Sequence, residues 1–106
     1  MAGAEIMAEK VIVYWRDIPA QVIVRNGRKR ATVELPERFI KAIDRTAMKV
    51  GARDTDAYLE AWRRGEPESC SDDLEQEAAE AATMLETTFS HEHLNSLVAN
   101  GGYAHD

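Results

Sequence analysis

Three groups of side chains in the 106-residue sequence carry enough chemistry to suggest a site: one thiol, Cys70; two imidazoles in His91-Glu92-His93; and an arginine series, Arg16, Arg25, Arg28 and Arg30. The first two fail on surroundings or spacing. Residues two apart on a helix point about 200° from each other, so His91 and His93 cannot share an ion as ligands four apart would. Nor is the triplet the HExxH of zinc proteases. Cys70 and His105 are distant in sequence, and the acids flanking the thiol (Glu68, Asp72, Asp73) raise its pKa and leave it inert. Gly27 and Gly51 stand alone, and Gly101-Gly102 follows a helical pattern instead of opening one, so no phosphate loop is recognisable. No spacing singles out an acid pair for proton transfer. The expectation is no catalytic residue, no metal site and no cofactor, and a binding protein before an enzyme.

The arginines remain. Guanidinium groups offer planar, bidentate donors to carboxylate or phosphate, provided that the chain brings several to one surface. Asn26-Gly27 between apolar runs reads as a type I′ hairpin turn. It pairs Arg25 with Arg28, Ile23 with Arg30 and Gln21 with Thr32 on one face, and places Val22, Val24, Ala31 and Val33 on the other. VIVYWRDIPAQVIV (11–24) supplies the preceding corner. A four-residue loop, Asp17-Ile18-Pro19-Ala20, would pair Arg16 with Gln21 and Tyr14 with Ile23, adding both to the basic face and sending Val11, Val13 and Trp15 to the core. A loop one residue different would invert the first strand alone, because side chains alternate with period two. The candidate binding residues are therefore Tyr14, Arg16, Gln21, Arg25, Arg28 and Arg30. The plainer reading is a solvated outer face whose charges guard the sheet against edge pairing, or one neutralised by the acidic helix that follows residue 71.

Around this ribbon the sequence places helices. Leu35-Pro36-Glu37 opens one that carries Phe39, Ile40, Ile43, Ala47 and Val50 and stops at Gly51. A second runs over about Thr55 to Arg64, presenting Ala57, Tyr58, Ala61 and Trp62. After a linker, a capping box from Asp72 to Glu75 begins an acidic helix striped with Leu74, Ala78, Ala81, Leu85 and Phe89. Ser90 caps a last helix bearing Leu94, Leu97 and Val98. The fold class is α+β: a three-stranded antiparallel meander packed on helices, with an acidic helical C-terminal extension. The divisions are an N-terminal arm (1–9), a domain (10–64), a linker (65–71) and the extension (72–106).

Charge follows the same division. Residues 1–65 hold all 13 Lys and Arg with nine acids, a net of +4, whereas residues 66–106 hold ten acids and no Lys or Arg. The basic half either meets an anionic partner or receives the acidic half. One cysteine, no secretory leader pattern and no long apolar run suit the cytoplasm and exclude a membrane-spanning segment.

Two longer stretches resemble known families. RATVELPERFIKAIDRTAMKVGARDTDAYLEAWRR (30–64) resembles a ribbon-helix-helix unit, which implies a dimeric nucleic-acid-binding regulator reading DNA with a β-ribbon. There Arg30, Thr32 and Glu34 would be the exposed strand residues, and Glu34 would repel phosphate. YWRDIPAQV, LPERFIKAIDRTAMKVG and AYLEAWRR are more distinctive. They resemble the small bacterial virulence factor domain family, also a module of conserved virulence factor C proteins, and the likeness covers most of residues 10–64. In that family stand-alone members are often encoded near methylenetetrahydrofolate reductase and corrinoid methyl-transfer proteins. The resemblance thus implies an accessory protein with a protein partner in one-carbon metabolism, and it names no catalytic residue.

Overall fold

The computed structural model describes residues 8–104, and the expectations for residues 1–7 and for His105 fall outside them. In chain order the elements are β1 (Ala8–Trp15), β2 (Ile18–Asn26), β3 (Lys29–Glu34), α1 (Glu37–Lys49), α2 (Asp56–Glu60), β4 (Trp62–Arg64), β5 (Glu68–Cys70), α3 (Leu74–Thr88) and α4 (His91–Ala99). The α+β class and the antiparallel meander are as the sequence implies. The meander is extended into a five-stranded sheet of order β3-β2-β1-β4, with β5 also pairing β1.

Both hairpin turns differ from expectation, with unequal consequences. Asn26 pairs with Lys29, so the second turn is Gly27-Arg28, with only Gly27 at positive φ (+62°). That is the signature of a type II′ turn. The register moves by two residues, and two leaves every side chain on its expected face. At the first corner the loop is Arg16-Asp17 alone, Trp15 pairs with Ile18, and a bulge separates this pairing from Val13 opposite Gln21. There the register over residues 9–13 is displaced by an odd number, which inverts β1. Ile12 packs toward the helices, whereas Val11 lies opposite Ile23 on the other face. Trp15 and Ile18, beyond the bulge, are both fully buried in the main cluster.

The second expected helix is also cut short. α2 ends at Glu60, and Trp62-Arg63-Arg64 pair with Trp15, Tyr14 and Val13 as β4. An isolated helix of two or three turns is marginal in water, and a vacant strand edge offers its backbone a full ladder instead. Trp15 Nε1 donates to the Tyr58 carbonyl at 2.9 Å, tying α2 to β1. The segment expected as a linker carries β5, in which Ala8 pairs with Cys70.

Helices α1 and α3 cover the Val22/Val24 side of the sheet. α1 buries Phe39, Ala42, Ile43, Thr46 and Ala47 at helical spacing, while Ile40 and Val50 flank that arc and are 43% and 40% exposed. The N-cap of α3 is Asp73, one residue after the expected cap, and Asp73 Oδ1 accepts from Gln76 N at 3.3 Å. Its buried residues are Ala78, Ala81, Ala82 and Leu85, and the small alanines let the helix approach β2 and β3 closely. Ser90 caps α4 as expected, with Oγ accepting from His93 N at 3.1 Å.

Candidate binding face

Alternation along the strands decides which arginines meet. On the side away from the helices β2 presents Gln21, Ile23 and Arg25; β3 presents Arg30, Thr32 and Glu34; β1 presents Glu9, Val11 and Val13. Arg25 lies opposite Arg30 on one side and Glu9 on the other, and its Nη2 is 3.5 Å from Glu9 Oε1. Arg28 is exposed at the adjoining hairpin tip. Among the described residues the guanidinium groups of Arg28 and Arg30 have no hydrogen-bond or ion-pair partner. Like charges directly opposite destabilise a strand pair, and Glu9 offsets this for Arg25 from the β1 side. Below them Val11 and Ile23 are 1% and 5% exposed yet stand outside the cluster shared with the helices. Arg64, opposite Val13 on β4, extends the same side; it was not recognised from sequence because β4 was read as helix.

Of the six residues expected together, Gln21, Arg25, Arg28 and Arg30 are brought to this face or its tip. Tyr14 and Arg16 are not. Tyr14 lies beyond the bulge opposite Pro19 and shares a side of β1 with Lys10 and Ile12, where these three, Gly65, Glu66 and Glu68 line a small cavity of about 120 Å³. The Arg63 guanidinium lies 4.4 Å from its ring centroid. Burial pushes the Tyr14 phenol above its ordinary pKa; Glu68 and Asp17 add to this and Arg63 opposes it. A Cβ on Gly65 would lie 3.0 Å from the Tyr14 ring, so a side chain there would need the ring to give by a few tenths of an ångström.

Arg16 occupies the corner itself at φ +56°. Its guanidinium lies between the rings of Trp15 and Tyr103, at 5.1 and 5.0 Å, and Nη1 donates to the Gly101 carbonyl at 2.6 Å. Asp17 completes the clamp. Its N–H donates to the Gly102 carbonyl at 2.8 Å, Oδ2 accepts from Ala104 N at 2.7 Å, and Oδ1 is 3.0 Å from Arg63 Nη2. YWRDIP is therefore a fastening for the C-terminal segment.

The remaining reactive groups have structural surroundings. His93 stacks on Phe89 with centroids 4.6 Å apart, and its Nδ1 is 3.0 Å from the Thr88 carbonyl. Cys70 is buried, and burial, with Glu77 and Glu68, pushes its thiol up. No group of three His, Cys, Asp or Glu among the described residues is placed to hold a metal ion. A cavity of about 520 Å³ lies between α1 and α2 and is lined by Asp44, Arg53, Asp54 and Tyr58 among others. No sequence motif announced it; Asp54 at φ +63° is its one backbone irregularity. No helix of the described residues is long and apolar enough to cross a membrane.

The acidic half does fold back, but not onto the arginine face. The ion pairs among the described residues join Arg25 to Glu9, Lys41 to Glu37 and Arg63 to Asp17, none from α3 or α4. Instead α1 supplies cations to the carbonyl ends of those helices. Arg38 Nη2 donates to the carbonyls of Glu86 and Phe89 at 2.7 and 3.2 Å, and Lys49 Nζ to that of Ala99 at 3.2 Å.

These features define a small α+β protein whose antiparallel sheet is helix-covered on one side and basic on the other. The family model described as virulence factor matches residues 13–98, and the chain belongs to that family. The match includes α3 and nearly all of α4, beyond the stretch that carried the resemblance in sequence. Nothing among curated proteins or solved structures matches the chain.

Proposed function

We propose that the protein is a non-enzymatic, cytoplasmic accessory or adaptor that binds an acidic protein surface, or another anionic ligand, through the open sheet face. The observation that carries this reading is the placement of Arg25, Arg28 and Arg30 together, away from the helices, with the acidic helices engaged elsewhere. Gln21 and Arg64 flank them and add polar donors. The neighbourhood of stand-alone family members makes a one-carbon enzyme, methylenetetrahydrofolate reductase or a corrinoid methyl-transfer protein, the first partner to try.

The test is a pull-down from the native host with the wild-type chain and with an Arg25→Glu/Arg28→Glu variant. An acidic protein retained by the wild type and lost by the variant, with unchanged circular dichroism, supports the adaptor. Equal retention by both means that the face is merely solvated. Absence of a protein partner, combined with duplex binding that weakens steeply with salt, replaces the adaptor with a nucleic-acid-binding regulator.

A further inference from the structure

We propose that the outer edge of β3 is a self-association surface, on which β3 of a second copy of this chain pairs antiparallel about a two-fold axis at Thr32. The strand ends the sheet and is paired on one side only, by β2. Its backbone phase follows from the two-residue turn. Residues flanking such a turn form a hydrogen-bonded pair, Asn26 with Lys29, and the alternation then makes Val24–Ala31 and Val22–Val33 hydrogen-bonded pairs as well. Leu35 N donates to the Ala20 carbonyl at 3.0 Å in the same phase. The N–H and C=O groups of Arg30, Thr32 and Glu34 therefore point outward, and they have no protein partner among the described residues.

A strand added here must bring its own outward residues opposite these three. For β3 meeting itself, an axis through Thr32 engages all of them, with about six interchain hydrogen bonds. An axis at Ala31 leaves Glu34 without a strand partner, and one at Val33 does the same to Arg30. With the axis at Thr32, Arg30 stands opposite Glu34 of the second copy, twice by symmetry, and on the other side Ala31 meets Val33. Ala31 and Val33 are both only half-buried in the single chain and already pack against the core cluster, so the pairing continues the apolar layer beneath the helices. Charged residues on an edge ordinarily repel foreign strands. Here Glu34 makes the strand complementary to itself, which selects a second copy over a neutral strand.

This surface goes beyond the proposed adaptor role: Arg25 and Arg28 lie outside the edge ladder, Arg30 is the one residue the two share, and Glu34→Lys therefore reads the edge without touching the arginines of the face. The test is sedimentation velocity of the full chain over a range of concentrations. The wild type is expected to dimerise reversibly. Arg30→Glu and Glu34→Lys are each expected to weaken the dimer by about tenfold or more, since both crossing pairs become like-charged. Mixed together, the two variants restore opposite charges at every pair and should form a one-to-one heterodimer. In the wild type, amide exchange at Arg30, Thr32 and Glu34 should slow with rising concentration, while Lys29, Ala31 and Val33 are protected throughout. Circular dichroism checks that each variant folds. A wild type that stays monomeric, a dimer indifferent to both reversals, or one whose Arg30, Thr32 and Glu34 amides exchange freely overturns the proposal.

Discussion

Arg16 holds a left-handed backbone, which costs a non-glycine residue about 1–2 kcal/mol, and keeps it because its guanidinium is held between two rings and a carbonyl. Arg16→Ala keeps the backbone cost and loses the contacts, and should destabilise by about 2–3 kcal/mol in urea unfolding. Arg16→Gly loses the same contacts but relieves the backbone, and should be about 1 kcal/mol less harmful. Equal stability of the two would mean that the corner carries no such strain. Tyr14 and Cys70 give a pH prediction. Both have folded-state pKa values above their ordinary ones, by burial first. The stability they contribute is therefore present below about pH 8.5–10 and lost as pH rises through the higher folded values. Urea midpoints should fall across that alkaline range, and Tyr14→Phe combined with Cys70→Ser should flatten the fall. Arg63→Gln should raise the Tyr14 ionisation further, read by phenolate absorbance. Ser90 was legible as a cap because capping is local chemistry, decided within three residues. Arg16 was misplaced because its partners lie 85 residues away, where no local rule can see them.

Register explains what the strands disclosed and what they withheld. Val22, Val24, Ala31 and Val33 faced the helices as their alternation implied, since a two-residue shift at Gly27-Arg28 preserves parity. The first strand could not be assigned by the same means, because its odd displacement depends on a turn fixed by Gly102. β4 was hidden for a related reason, as AYLEAWRR reads as helix until β1 offers its edge. The helices show a division of labour that composition only hinted at. α3 and α4 have no Lys or Arg, and α1 brings Arg38 and Lys49 to their negative ends. Arg38→Ala should cost about 1–2 kcal/mol, and Asp73→Ala and Ser90→Ala about 1 kcal/mol each, by urea unfolding. Two glycines separate backbone strain from crowding. Gly27→Ala meets nothing within 4 Å and should cost about 1 kcal/mol. Gly102→Ala would place Cβ 3.0 Å from Arg16 Cδ and 3.2 Å from Thr46 Cγ2, and should cost visibly more.

For the whole molecule, the segregated charge that stood out in composition resolves into two separate uses. The basic half supplies helix-end cations and the arginine face; among the described residues no ion pair joins a carboxylate of α3 to that face. Replacing Glu75 and Glu80 with Gln should therefore leave partner capture unchanged, whereas enhanced capture would show that α3 screens the arginines after all. The clamp at Arg16 and Asp17 also bears on the order in which the chain can fold. The β1–β2 hairpin needs only residues near in sequence, but its corner is finished by groups 85 and 87 positions downstream. Contacts of such separation form late, after most of the chain has been ordered. On the ribosome the strands can pair early, yet the turn that joins them must wait until residues 101–104 have been made. A chain stopped after Asn100 should retain its sheet while unfolding faster, because the final fastening of the first hairpin is never supplied.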